Sequence, residues 1–178
     1  NPGVSDLGLN CHKLQFIAMR DCRELSSTCI VDLVGRGGGA NLRLLNIMGC
    51  PKMKNKAAFA IGRHCPNLES LNLGRCPDIK DAGVIAIAEG CPKLQTVNLA
   101  GCKTISERAV CSIADNCKAL QMLNVTGCED VTENGMKELL RGLPFTEMAR
   151  TYIGFKPRKN YRQVRLEVQR NSLEAVAA

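Results

Sequence analysis

The segment Cys65-Pro-Asn-Leu-Glu-Ser-Leu-Asn-Leu-Gly-Arg-Cys76 indicates the fold of this chain, because its pattern recurs twice more at equal intervals. The copies are Cys91-Pro-Lys-Leu-Gln-Thr-Val-Asn-Leu-Ala-Gly-Cys102 and Cys117-Lys-Ala-Leu-Gln-Met-Leu-Asn-Val-Thr-Gly-Cys128, and each begins 26 residues after the one before. Looser copies run from Cys11 to Cys22 and from Gly39 to Cys50. Self-similarity at such a period is typical of a solenoid, in which stacked units bury one continuous core. The sequence therefore predicts about five stacked units.

Each unit changes its periodicity part-way along. Around Leu71 and Leu73, apolar residues alternate with polar ones, which is typical of a short strand with one buried face. After the second cysteine, apolar residues recur at helical spacing; in the unit that follows Cys76 they are Ile79, Val84, Ile87, Ala88 and Cys91. A strand, a turn, a helix and a return segment together make one α/β coil.

Ser26, Ser106 and Thr132 precede three of the predicted helices at the position of an N-cap. A hydroxyl oxygen at this position can accept a hydrogen bond from a free N–H of the first helical turn. We therefore predict that each of these side chains caps its helix.

Eleven cysteines are many for a chain of 178 residues. Nine of them fall at the starts and ends of the repeated segments: Cys11, Cys22, Cys50, Cys65, Cys76, Cys91, Cys102, Cys117 and Cys128. Only Cys29 and Cys111 lie elsewhere, on predicted helix faces. Zinc sites use closely spaced cysteine pairs or clustered histidines, and the only histidines are His12 and His64. The spacing predicts reduced, buried structural thiols, with no metal ion, no cofactor and no catalytic cysteine.

The glycine-rich segment Gly35-Arg-Gly-Gly-Gly-Ala-Asn41 contains a two-residue insertion, and Gly39 replaces the first cysteine of its unit. A phosphate-binding loop requires its glycines between a strand and the helix that the loop opens. Here the glycines follow a helix and precede a strand. The order favours a flexible loop between coils.

The strand residues that alternate with the buried leucines form a candidate binding surface on the concave face of the solenoid. Its predicted partner-binding residues are Phe16, Arg20, Asp21, Asn46, Met48, Asn72, Arg75, Asn98, Asn124 and Thr126. The four asparagines form one column, which has two interpretations: amides that bond laterally to solvate the sheet, or a polar floor for a bound protein. No pair of acids and no Ser/His/Asp set occurs on this face, so we expect no enzymatic activity.

The repeat degenerates near its C-terminal end. A further unit would place leucine at positions occupied by Thr146, Ala149 and Thr151, so residues 141–155 are interpreted as a degenerate closing coil of a repeat domain that spans residues 1–155. Residues 156–178 are predicted to form a basic helical extension, because Tyr161, Val164 and Val168 would share one helical face.

The C-terminal region also carries most of the charge. From Arg141 onward, eight Lys and Arg oppose three Glu, which leaves +5 of the total net charge of +7. Aromatic and arginine side chains are common interface anchors. The candidate partner-binding residues are Phe145, Tyr152, Phe155, Lys156, Arg158, Lys159 and Arg162. This segment has two interpretations, a cap over the last coil or a surface for an acidic partner, whereas a single short basic cluster disfavours nucleic acid.

The N-terminal end aligns with the middle of a later unit. Gly3 and Val4 correspond to Gly83 and Val84, so the chain is expected to begin inside a helix, with further repeats upstream. No apolar run approaches the roughly 20 residues that span a bilayer, which disfavours a membrane partner. With no signal-like start, we expect a cytoplasmic protein, and a nuclear or ciliary location is also compatible.

The arrangement Cys-x-x-Leu-x-x-Leu-x-Leu-x-x-Cys-x-x-Ile, followed by a helix, resembles the cysteine-containing subclass of leucine-rich repeats, from about Gly3 to Leu140. This subclass is best known from F-box/leucine-rich-repeat proteins, the substrate receptors of SCF ubiquitin ligases. The resemblance implies a horseshoe-shaped α/β solenoid, with parallel strands on its concave face and helices on its convex face. It also implies a protein-binding module that recognises substrates and meets SCF subunits through an upstream region. The alternative is a scaffold in a cytoskeletal or ciliary (axonemal) assembly, where similar repeats occur.

Overall fold

The computed structural model describes residues 2–132 and the backbone of residues 165–167. The helices in this part are α1 Pro2–Asn10, α2 Ser27–Leu33, α3 Asn55–His64, α4 Asp81–Gly90 and α5 Glu107–Asn116. The strands are β1 Phe16–Ala18, β2 Leu44–Asn46, β3 Ser70–Asn72, β4 Thr96–Asn98, β5 Met122–Asn124 and β6 Arg165–Glu167. None of the helices in this part combines the length and apolar character that a bilayer span requires.

Strands β1 to β5 form one parallel sheet in chain order. Their register pairs identical repeat positions, so that Leu45 aligns with Leu71, then with Val97 and Leu123. Each return through a helix has nearly the same length, and each strand therefore arrives at the same height as the one before it. The repeat and the strand–helix alternation predicted from the sequence are confirmed.

One continuous core lies between the sheet and the helices. The middle residue of each strand from β2 to β5 is buried, while its two neighbours are partly exposed on the opposite face. From the helices, the core receives small and branched residues such as Ala57, Ile61, Val84 and Ile87. Among the described residues, no buried side-chain nitrogen or oxygen lacks a hydrogen-bond partner.

The cysteine that ends each repeated segment joins two neighbouring coils. From the second coil onward, its Sγ–H donates a hydrogen bond to a backbone carbonyl oxygen of the preceding coil. The bonds run from Cys50 to Met19 (3.2 Å), Cys76 to Ile47 (3.4 Å), Cys102 to Leu73 (3.2 Å) and Cys128 to Leu99 (3.2 Å). A compact residue with a weak donor suits a position enclosed by neighbouring backbone.

The prediction that all column cysteines are buried is wrong in the first coil. Cys22 is exposed and Cys11 is only partly buried. Because each second-column cysteine packs on the coil before it, Cys22 has no such coil among the described residues. Its thiol instead donates to the carbonyl of Arg20, at 3.5 Å.

The helix N-termini are also connected from coil to coil. The first residue of each helix from α2 to α4 accepts, through its side chain, the backbone N–H that stands directly before the next helix. The bonds are Lys54 N to Ser27 Oγ, Lys80 N to Asn55 Oδ1 and Ser106 N to Asp81 Oδ1, each 2.8 Å. Each helix start thus provides an acceptor for the N-cap N–H of the next helix, which has no intrahelical partner.

The N-cap predictions have different outcomes. Ser106 caps α5, because its Oγ accepts a hydrogen bond from the N–H of Arg108 at 3.3 Å. Ser26 occupies the N-cap position of α2 but makes no side-chain capping bond. Its hydroxyl lies 3.1 Å from the Sγ of Cys29, which takes the place of the expected backbone donor. The helix expected after Thr132 lies outside the described residues.

The glycine-rich segment is not the flexible loop that its composition suggests. Val34–Gly38 continues α2 as a π-helical turn, which absorbs the inserted residues, and Gly37 adopts a positive φ of 112°. Gly39 is buried at the position of the first cysteine in other units. A Cβ there would lie 2.7 Å from the carbonyl oxygen of His64, so a cysteine would not fit. The positive φ of Gly37 and the close backbone contacts of Gly38 and Gly39 account for these three glycines.

The helical prediction for residues 156–178 is wrong at Arg165–Glu167. These residues form β6, which pairs antiparallel with β5 and aligns Leu166 with Leu123. The spacing of Val164 and Val168 suits a helical face, but Val164, Leu166 and Val168 also alternate with charged residues as in a strand. The open edge of β5 offers unpaired backbone groups, which favour the strand.

Close helix packing gives a prediction at Gly62 in α3. A Cβ at Gly62 would lie 2.2 Å from the carbonyl oxygen of Ala86 in α4. Gly62→Ala should therefore lower the free energy of unfolding by about 2 kcal/mol, although alanine is the better helix former. Urea denaturation measures this change. Gly3→Ala is the control, since a Cβ at Gly3 meets nothing within 4 Å, and equal effects of the two variants would contradict the packing.

Candidate functional site

A groove lies on the face of the sheet opposite the helices. It has a volume of about 340 Å³. Its lining residues come from the four strands β2 to β5: Leu44, Asn46, Ser70, Leu71, Asn72, Thr96, Asn98, Met122 and Asn124. None of these side chains is ionisable, so the floor of the groove is uncharged. Because the groove is built on paired strands rather than on loops, its shape is set by the backbone ladder.

Each groove asparagine ends its strand and holds the turn that follows. The Oδ1 atom accepts the backbone N–H two residues further along, as in an Asx turn. The bonds are Asn46 with Met48 N (3.2 Å), Asn72 with Gly74 N (3.0 Å), Asn98 with Ala100 N (3.0 Å) and Asn124 with Thr126 N (3.0 Å). Since an N–H must meet an oxygen, this bond also fixes which end of each amide is the NH₂ group.

The lateral amide–amide bonds that one interpretation expected are not formed in this column. The NH₂ group of Asn72 instead donates to the Sδ of Met48, at 3.7 Å. Among the described residues, no protein acceptor binds the NH₂ groups of Asn46, Asn98 and Asn124. The column therefore has donor groups available in an uncharged groove.

Some of the other candidate residues of this face lie beside the groove, and others lie away from it. Met48 lies beside the groove in contact with Asn72, and Thr126 donates its N–H to Asn124. Phe16 is 63% exposed on β1, and Arg20 is exposed just beyond that strand. Neither Phe16 nor Arg20 lines the groove.

Five groove residues were not among the predicted site residues: Leu71, which is otherwise a core residue, and Leu44, Ser70, Thr96 and Met122. The last four are the first residues of their strands, two positions before the asparagines, and strand alternation brings both sets to one face. The repeat pattern therefore already indicates that these positions share a face with the asparagines. The indication is weak because their side chains differ from coil to coil, whereas the asparagines are identical.

Asp21 and Arg75 meet across an intervening coil, and we call this contact the Asp21–Arg75 bridge. Arg75 Nη2 donates to Asp21 Oδ1 at 2.7 Å. The bridge passes over Gly49, where a Cβ would lie 2.2 Å from that carboxylate oxygen. Side-chain exposure is 59% for Arg75 and 60% for Asp21.

The backbone at both bridge residues is left-handed. Every coil has a positive φ just before its second cysteine, and three coils place glycine there: Gly49, Gly101 and Gly127. Asp21 and Arg75 occupy the same position with φ of 55° and 58°. Aspartate tolerates this region, whereas arginine in it costs about 1 kcal/mol or more, and an exposed ion pair contributes about 0–1 kcal/mol. The bridge therefore gives arginine no advantage in stability over glycine at position 75.

The buried thiols are poorly suited to nucleophilic chemistry, which requires the thiolate. Burial raises the pKa of Cys65, Cys76 and Cys128 to about 12 and that of Cys102 and Cys117 to about 11. These thiols therefore stay protonated near neutral pH. In the part of the chain that the structure describes, no group of His, Cys, Asp and Glu could hold a metal ion.

The seven candidate residues of the C-terminal region, from Phe145 to Arg162, lie outside the described residues, as does the closing coil at 141–155. The helix predicted at the N-terminal end is present as α1, and Gly8 is its buried residue.

Comparison with known proteins agrees with this geometry. The family model described as Leucine Rich repeat matches residues 64–88, from the end of α3 through most of α4. The tropomodulin C-terminal domain from Caenorhabditis elegans has a TM-score of 0.61 and 6% identity, over 80% of this chain and 90% of that chain. The fold is a leucine-rich-repeat solenoid.

Two further structures resemble this solenoid. Leiomodin-1 actin-binding site 2 has a TM-score of 0.57 and 14% identity, over 79% of this chain and 86% of that chain. A chain of the yeast Rad7–Elc1 complex has a TM-score of 0.60 and 20% identity, over 66% of this chain and 31% of that chain. A search of curated proteins found no match. At these identities the likeness establishes the fold alone.

The strain at Arg75 can be measured with two substitutions. Arg75→Ala and Arg75→Gly both remove the ion pair, but only glycine accepts the left-handed backbone freely. The glycine variant of the solenoid should therefore be more stable to urea than the alanine variant, by about 1 kcal/mol. Gly101→Ala is the control. Its Cβ would have no neighbour closer than 3.5 Å, so its loss of stability reports backbone strain without a clash. Equal stabilities of the two Arg75 variants would refute the strain.

The raised thiol pKa values predict that the solenoid loses stability in alkali. An unfolded thiol ionises near pH 8.5, whereas the folded thiols of Cys76 and Cys102 resist ionisation until about pH 12 and about pH 11. Stability from this source is therefore complete below about pH 8 and falls as the pH rises further. The urea midpoint, measured from neutral pH into this range, should decline. Cys76→Ala should flatten that decline and Cys22→Ala should not, and identical profiles for both would contradict the assignment.

Proposed function

We propose that this solenoid is a non-catalytic protein-binding module that recognises the substrate of an SCF-type ubiquitin ligase. The observation that carries the proposal is the uncharged groove over β2 to β5, with its column of asparagine NH₂ groups. Supporting it is the two-cysteine repeat pattern, which resembles F-box/leucine-rich-repeat proteins. Further support comes from the fold likeness to a chain of the Rad7–Elc1 complex, since that chain is part of an assembly of two proteins.

Recognition in this proposal follows from the chemistry of the groove. A bound segment displaces water from Leu44 and Met122 while its carbonyl groups accept hydrogen bonds from the asparagines. The groove itself needs little rearrangement, because Oδ1 of each asparagine is already held by its own turn. The module holds its partner, and the ligase subunits, met through an upstream region, supply the chemistry. For this role we expect a cytoplasmic location, and a nuclear or ciliary location is also compatible with it.

A second candidate is a scaffold in a cytoskeletal or ciliary assembly. Fold likeness to leiomodin-1 actin-binding site 2 and to the tropomodulin C-terminal domain favours it. The basic C-terminal residues would then bind an acidic surface, as filaments often present. This candidate uses the same groove but requires no ligase subunit.

Affinity purification of the protein from its native cells distinguishes the two roles. We expect cullin-ligase subunits to co-purify with the wild-type protein and also with Thr96→Arg, which fills the groove without touching the core. Substrate proteins should be lost from Thr96→Arg and should accumulate in cells that express it. Glu89→Arg, an exposed change on α4, is the control for surface charge.

Absence of every cullin-ligase subunit from the wild-type sample would overturn the ligase role. Cosedimentation of the purified solenoid with filamentous actin then tests the scaffold role. Binding that Thr96→Arg abolishes and Glu89→Arg preserves would support the scaffold, and no sedimentation would count against actin as its partner.

A further inference from the structure

A basic rim lies at the carboxyl ends of β1 to β3, just beyond the groove. We define it by Arg20, Asp21, Arg23 and Arg75, which are all exposed. Three guanidinium groups oppose one carboxylate, so the rim carries a net charge of +2. The neighbouring Glu24 and Lys52 pair with each other at 2.6 Å and add no net charge. Among the described residues, neither Arg20 nor Arg23 has an ion-pair partner.

The Asp21–Arg75 bridge uses only a small part of the binding capacity of its arginine. A guanidinium group has five N–H donors in a planar fork. One hydrogen bond, from Nη2 to Asp21 Oδ1, holds the group. The Arg75 side chain is 59% exposed, and its remaining donors are available to a second carboxylate.

Stability does not explain why these residues stand where they do. Glycine fills the same left-handed position in three other coils, and an exposed ion pair gives no net gain over glycine once the backbone strain at Arg75 is counted. Strained backbone that other contacts do not require is characteristic of functional sites. Gly49 leaves the space that the Asp21–Arg75 bridge needs, because a side chain at this position would separate the two charged residues.

We propose that the basic rim binds an acidic segment of the partner protein, with Arg20 and Arg75 donating to its carboxylates and Asp21 acting as a positioning residue for Arg75. This inference rests on the proposed protein-binding function and adds the chemistry of the partner. The uncharged groove takes the adjoining part of the same partner. A segment with alternating acidic residues fits the rim by charge, and a basic segment does not.

A second arginine ion pair among the described residues supplies a matched control. Arg43 and Glu69 pair at 2.8 Å at the opposite ends of the strands, with side-chain exposures of 50% and 30%. Arg43→Gln and Arg75→Gln change the net charge equally. Glu69→Gln and Asp21→Asn likewise each remove one negative charge.

The experiment measures binding of a fluorescein-labelled, amidated Glu/Ser peptide by fluorescence anisotropy at physiological salt, with a Lys/Ser peptide as the negative probe. Arg75→Gln and Arg20→Gln should each weaken binding of the acidic peptide roughly tenfold, and Arg43→Gln should change it less than about twofold. Asp21→Asn should also weaken binding, although it makes the protein more positive. Glu69→Gln should leave binding unchanged or strengthen it slightly.

The sign of the Asp21→Asn effect separates positioning from general attraction. Stronger binding by Asp21→Asn would show that Asp21 merely repels the peptide, and it would overturn its positioning role. Equal losses in Arg75→Gln and Arg43→Gln, or no binding of the acidic peptide by the wild-type protein, would overturn the rim as an acidic-segment site. The ligase role would survive either result if Thr96→Arg still loses its substrates while keeping the cullin-ligase subunits.

Discussion

The common register of five parallel strands is the constraint on which the other features of this protein depend. It brings each repeat position above the same position of the next coil. Three kinds of contact then join neighbouring coils: the backbone ladder, the cysteine Sγ–H bond to a carbonyl, and the side chain at one helix start that accepts the next N–H. A shift of one residue would turn every strand side chain to the opposite face and break all three. A uniform coil length is therefore as important for this fold as the leucine residues of its core.

The same register makes the binding surface a set of columns. The asparagine column illustrates how one side chain serves structure and surface together. In Asn46, Asn98 and Asn124 the amide oxygen holds the turn and the amide nitrogen remains available to the groove. A structural role and a binding role of this column are thus compatible, although the structural role is the Asx turn and not the lateral amide bonds that were expected. Repetition explains why Asn72 and Asn98 are identical, and the side chains beside them, Ser70 and Thr96, are where the surface varies between coils.

Departures from the repeat are the most informative positions. Gly39 and the π-helical turn accommodate extra residues without disturbing the strands on either side. Asp21 and Arg75 are departures of another kind, since they replace glycine in a left-handed position and bring charge together over Gly49. The first departure is explained by packing. The second departure is not explained by packing, and it indicates a binding role for the basic rim.

Periodicity within a unit was enough to predict the solenoid, its strand and helix positions and the burial of the column cysteines beyond the first coil. It did not determine β6, since Val164 to Val168 suits either a helix or a strand and the open edge of β5 decides. It also did not reveal the Asp21–Arg75 bridge or the coil-to-coil bonds of Asn55 and Asp81. Such contacts join residues from different coils, and only the stacked tertiary structure brings their side chains together.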